Sequence, residues 1–98
     1  MKKFVIAINP TTKEQSDQIT NLFRGEYGWW HWIEGFWLVV DSSDTLTAKW
    51  IRDQLQEIAP NARTLVFEVT TPTRSWAGWG PSTPEKSMFK WIRETWFD

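Results

Sequence analysis

Six residues carry most of the binding chemistry this chain can offer: Trp30, Trp32, Trp37, Arg74, Trp76 and Trp79. An indole ring stacks on planar groups and hides a large apolar surface in a partner. An arginine beside it can meet a phosphate or carboxylate. The chain holds nine tryptophans in 98 residues. Each carries roughly 150–250 Å² of surface, so each fully buried ring contributes about 4–6 kcal/mol at about 25 cal/mol per Å². A chain this short hides only about 60–70% of its extended surface, and Trp is rarely buried outright. The indoles outnumber the interior places able to hold them. Some are therefore expected at a surface that another molecule, or a second copy of the chain, covers.

Catalytic groups are scarce. His31 is the single histidine. Set between Trp30 and Trp32, it reads as a packed core or interface residue rather than a general base. The chain has no cysteine, which removes thiolate nucleophiles, thiolate metal sites and disulfides. No serine stands in a nucleophile elbow. The five glycines are scattered and form no phosphate loop, and one histidine does not make a zinc site. Asp53 and Glu57, one helical turn apart, read as a solvated face. No metal and no cofactor is expected. The net charge of −1 gives no general attraction for a polyanion. The apolar run Phe4–Ile8 is too short for a signal peptide and stops at Asn9-Pro10. No stretch approaches the length of a membrane span. A cytoplasmic location with no membrane partner is the expectation.

The elements that must position these residues alternate between strand and helix. Phe4–Ile8 is a short β-rich run ended by Asn9-Pro10. Thr11 or Thr12 caps a helix to about Arg24, with Gly25 just past its end and Ile19, Leu22 and Phe23 as its thin apolar side. Trp29–Ile33 and Phe36–Val40 form a hairpin around Glu34-Gly35. Thr45 or Thr47 opens a second helix to about Ala59, stopped by Pro60, with Trp50, Ile51, Leu55 and Ile58 as its buried stripe. Arg63–Thr70 is a fourth strand in which Leu65, Phe67 and Val69 alternate with Thr64, Val66 and Glu68. A loop rich in Pro, Gly, Thr and Trp runs from Thr71 to Pro81. A last helix starts near Pro84, where Ser82 and Glu85 fit a capping box. The order βαββαβ predicts one α+β domain, a ferredoxin-like sandwich with a four-stranded antiparallel sheet and an added C-terminal helix.

A two-residue turn at Glu34-Gly35 fixes which way the hairpin side chains point, because cross-strand partners share a face. Ile33 then faces Phe36, Trp32 faces Trp37, His31 faces Leu38, Trp30 faces Val39 and Trp29 faces Val40. One face holds Ile33, Phe36, His31, Leu38, Trp29 and Val40. The other holds Trp30, Trp32, Trp37 and Val39. The aliphatic-rich face is expected to take the two main helices. The three-Trp face is then open, or covered by the Ser75–Gly80 loop, the last helix or a partner. A slip of one residue would exchange the faces.

Five segments resemble the SinR-like family of small proteins: Trp29-Trp30-His31-Trp32, Phe36-Trp37-Leu38-Val39-Val40, Ile51-Arg52-Asp53-Gln54-Leu55, Leu65-Val66-Phe67-Glu68-Val69 and Trp76-Ala77-Gly78-Trp79. That family looks related to the small dimeric subunit of CRISPR spacer acquisition. The resemblance implies a ferredoxin-like fold and a homodimer. It also implies a test. The related subunit ends its first strand with an aspartate, which holds a divalent metal for phosphodiester cleavage. Asn9 stands at that position here, and an amide is a poor ligand and no base. A metal-dependent endonuclease is therefore disfavoured, although Asp41 and Asp44, at the end of the third strand, are the nearest carboxylates to weigh. As caps and turn residues they need no metal.

Two readings of the tryptophans follow. In the first, they bury one another across a homodimer or against another protein, as indoles do in interface hot spots. In the second, an open sheet face stacks a nucleotide or nucleic acid, with Arg63, Arg74, Lys86, Lys90 and Arg93 as phosphate contacts. The weak acidic balance and Glu68 favour the first. The loop Trp76-Ala77-Gly78-Trp79 reads as a staple that folds the last helix over the sheet, with Ala77 and Gly78 permitting close approach.

Overall fold

The structure, a computed structural model, describes residues 1–70, 76–80 and 87–97. Its elements are β1 (Lys2–Asn9), α1 (Lys13–Phe23), β2 (Gly28–Ile33), β3 (Phe36–Asp41), α2 (Ala48–Ile58), β4 (Arg63–Glu68) and a short C-terminal helix (Ile92–Trp96). The strands form one antiparallel sheet in the order β2-β3-β1-β4. This is the α+β, ferredoxin-like arrangement with an added C-terminal helix.

Thr12 caps α1 with a full capping box: its hydroxyl accepts from the Gln15 amide, and the Gln15 side chain accepts from the Thr12 amide. Thr47 caps α2 by accepting from the Trp50 amide. Both helices pack on the first face of the sheet. Phe4, Ile6 and Ile8 of β1 and Trp37 and Val39 of β3 meet Ile19 and Phe23 of α1 and Ile51 and Leu55 of α2. On α2 the apolar stripe is narrower than the spacing predicts. Trp50 is 40% exposed, and Ile51 and Leu55 carry the contact.

The hairpin corrects the expected faces. Ile33 does pair with Phe36 across the Glu34-Gly35 turn. Beyond it the register shifts, so that Trp30 pairs with Leu38 and Trp29 with Val39. His31 and Trp32 together oppose Trp37 as a bulge. The aliphatic Leu38 and Val40 therefore lie on the second face, away from the two main helices, while Trp37 and Val39 lie against them. Trp30 and Trp37 fall on opposite faces. Each buried indole finds an acceptor there: Trp37 Nε1 donates to Thr20 Oγ1 at 3.3 Å, and Trp30 Nε1 donates to the Met88 carbonyl. A buried N–H without an acceptor is costly, so these partners hold the two rings on separate sides.

The second face carries its own core. Trp30, Leu38 and Val40 pack beneath Met88, Ile92 and Trp96. The last turn closes with a bond from the Phe97 amide to the Ile92 carbonyl, five residues back. Within that turn Ile92 and Trp96 both face the sheet, and Met88 from the preceding turn joins them. The helix start expected near Pro84, and the Ser82 and Glu85 cap, lie outside the described residues. No helix is long and apolar enough to cross a membrane among the described residues.

Candidate functional site

The pleat sorts the second face into cross-strand rows. One row runs Ile33, Phe36, Ala7, Leu65 from β2 to β4. The next runs Trp30, Leu38, Val5, Phe67. The C-terminal helix covers the β2–β3 side of these rows, where Trp30 and Leu38 are buried. Val5 of β1 still packs partly against it, but Ala7 and the β4 residues of these rows are left bare. Leu65 is 56% exposed and Phe67 58%, on a strand whose outer edge has no partner among the described residues. Ala7, opposite Leu65 on β1, is also exposed. Alternation at period two, visible in the sequence, places Leu65 and Phe67 on one face. It does not reveal that the layer above that face stops short of them.

The loop 76–80 lies against the C-terminal segment. The Trp76 ring stacks on Phe97 (centroids 6.0 Å apart) and meets Phe89 at 5.9 Å. Gly78 lies so close to the Phe89 ring that a Cβ would strike it, and a Cβ at Gly80 would strike Met88. These glycines let the backbone approach its neighbours. Trp79 projects from the loop and is 93% exposed. Between loop, helix and sheet lies a partly open cavity of about 310 Å³. Ile33 and Phe36 line it together with Trp76 and Trp79, so cavity and bare rows are one continuous apolar surface.

The six residues singled out in the sequence are thus divided. Trp37 is fully enclosed in the first core, and Trp30 is buried in the second. Neither presents a ring to solvent, so the two do not form an open stacking platform with Trp32. Trp32 is half exposed in the bulge. Trp76 and Trp79 come together with Trp30 around the cavity. Arg74 lies outside the described residues. Of the remaining indoles, Trp29 and Trp91 are half-buried and Trp96 is buried. Phe36, which the hairpin reading set beneath the two main helices, belongs to the site on the other face, together with Phe89 and Phe97, which the sequence did not single out.

The carboxylates are arranged for structure. Asp41 pairs with Lys2 at the start of β1, whereas Asn9 ends that strand and pairs with Arg63. Seven residues at about 3.3 Å each separate the two positions by about 23 Å, so Asp41 is not near Asn9. Asp41 is fully buried, and both its oxygens are engaged. One accepts from the Ser43 amide (2.9 Å) and hydroxyl, the other from the Thr45 and Leu46 amides at 2.8 and 2.7 Å. Burial pushes the carboxyl's pKa up. The bonds from Ser43, Leu46 and Thr45 outweigh it and hold the group below the ordinary carboxylate range. Asp44 pairs with the Met1 amine at 2.8 Å. No cluster of three or more His, Asp or Glu fit to hold a metal is found among the described residues.

His31 is also in use. Its ring stacks on Trp37, and Nδ1 donates to the Phe36 carbonyl at 2.8 Å. Comparison with known proteins finds no family model, no curated protein and no solved structure that matches this chain.

Proposed function

We propose that this chain is a non-catalytic interaction module whose partner is a second copy of itself. The single observation behind this reading is the exposed β4 end of the second sheet face. Leu65 and Phe67 stand bare on an edge strand, next to a row that continues through Ala7 and Phe36 to Ile33. The exposed parts of Ile33, Leu65, Phe67, Trp76 and Trp79 offer on the order of 600 Å² of apolar surface. With a polar rim added, that approaches the ~800 Å² per partner of a standard interface. A net charge of −1 sets little repulsion between copies. The resemblance to SinR-like proteins implies the same partner.

Light scattering tests this reading. A dimer is expected, dissociating on dilution, with a melting temperature that rises with concentration. Leu65→Lys and Phe67→Lys change exposed positions and are expected to give folded monomers. A native chain that stays monomeric at high micromolar concentration would refute the proposal.

A further inference from the structure

We infer that the cavity under the 76–80 loop is a binding site for a small, uncharged, fused-ring aromatic molecule. Its volume, about 310 Å³, is twice that of apolar cavities that take up a single benzene ring, about 150 Å³. It falls at the lower end of the range of small-molecule sites. Two fused rings match it in size.

The lining decides the chemistry. Rings of Trp30, Phe36, Trp76, Phe89 and Trp96 contribute to it together with the aliphatic Leu38. Among the described residues no charged side chain lines it. A phosphate or carboxylate placed there would lose its hydration and gain no partner from these apolar walls, so they favour an uncharged ligand over a nucleotide. Water fares little better, since it needs two to four polar partners, and the Trp30 indole N–H is already donated to the Met88 carbonyl. A flat apolar ligand restores the dispersion contacts that an empty or wet cavity forfeits. Edge and face approaches are both available. The Trp30 and Phe36 rings stand perpendicular, 88° between their planes with centroids 6.3 Å apart, and the Trp76 ring lies at 46° to Phe89. The walls belong to the second hydrophobic core, so part of the pocket is preformed by the sheet.

Ile33, Trp76 and Trp79 border both the cavity and the self-associating surface, so ligand uptake is tested on a chain whose association is broken at Leu65. The cavity is lined within one chain, whereas Leu65 and Phe67 are not part of its wall.

The test is heteronuclear NMR of the indole N–H signals during titration with 2-naphthol, on the native chain and on Leu65→Lys. The signals of Trp30, Trp76 and Trp96 are expected to shift and saturate in both, while those of Trp37 and Trp50, outside the cavity, hold still. Ile92→Phe places extra atoms in the cavity and is expected to weaken binding roughly tenfold, at an unchanged fold. Three results would each overturn the inference. One is the absence of saturable shifts in the native chain at millimolar 2-naphthol. Another is equal response of Trp37 and Trp50, which marks non-specific contact. The third is stronger displacement by tetramethylammonium, which marks an aromatic cage for cations.

Discussion

The His31 ring lies flat on the Trp37 indole, with centroids 3.7 Å apart and planes 4° from parallel. The bulge at His31 and Trp32 makes this possible, because two residues of β2 share the place opposite Trp37. The stack roofs the edge of the first core, where Trp37 is fully buried. His31→Ala removes the stack and the bond to the Phe36 carbonyl, and is expected to cost about 1–2 kcal/mol. His31→Phe keeps the stack and should recover about half. Urea denaturation of the three proteins reads the difference, and equal midpoints would show that the stack contributes nothing.

Asp41 closes the β3–α2 connection with four hydrogen bonds. Asp41→Asn replaces one accepting oxygen by an NH₂ group that faces amide donors, and is expected to cost about 2–4 kcal/mol at pH 7. The pH dependence has a definite sign. The folded pKa lies below the unfolded one, so the stabilisation is complete above the ordinary carboxylate range. It is lost as pH falls through the folded value. The gap in denaturation midpoint between native chain and Asp41→Asn should therefore shrink on going from pH 7 to pH 3. A gap independent of pH would contradict the assignment.

Gly35 has a φ of 74°, and a Cβ there would lie 2.6 Å from the Ile8 carbonyl oxygen. That carbon would meet backbone that cannot move aside, and the left-handed conformation adds strain. Gly35→Ala is expected to destabilise by about 2 kcal/mol or more. Gly25 also has positive φ, 93°, but open space around it, so Gly25→Ala should cost about 1 kcal/mol. Thermal melts of the pair separate steric clash from backbone preference.

The sheet order was legible because local signals carry it, among them Glu34-Gly35 between two apolar runs, and each helix start was narrowed to a pair of threonines, of which Thr12 and Thr47 are the caps. The facing of the hairpin was not. A bulge leaves no compositional mark in Trp29-Trp30-His31-Trp32, and a shift of one residue exchanges faces. Trp50 misled for a different reason. Its spacing matches the stripe of Ile51 and Leu55, but α2 is amphipathic enough without it, and the ring points elsewhere. Leu65 and Phe67 were read in the right alternation. Their exposure depends on where the C-terminal layer ends, a fact of tertiary packing that period-two alternation does not encode. The same holds for the cavity, which needs Trp30, Trp76 and Phe89 from three distant segments.

The fate of two indoles offers the sharpest division between packing and contact. Trp96 is 7% exposed, packs on the Val40 side of the second core and has the Lys3 ammonium 5.8 Å from its ring centre. Trp79 is 93% exposed and lies on the rim of the cavity. Trp96→Ala removes a buried ring from beneath one helix and is expected to cost about 3–5 kcal/mol, enough to loosen the C-terminal layer from Trp30 and Leu38. Trp79→Ala removes a ring that the folded monomer barely uses, so its unfolding free energy should stay within about 0.5 kcal/mol of native. Its effect should appear in association instead, where a central Trp anchor carries about 2 kcal/mol or more. Calorimetric melting of dilute protein and sedimentation across a concentration series measure the two quantities apart. If Trp79→Ala lowers the monomer's melting temperature as much as Trp96→Ala does, the ring is a structural strut and the bare surface ends short of it.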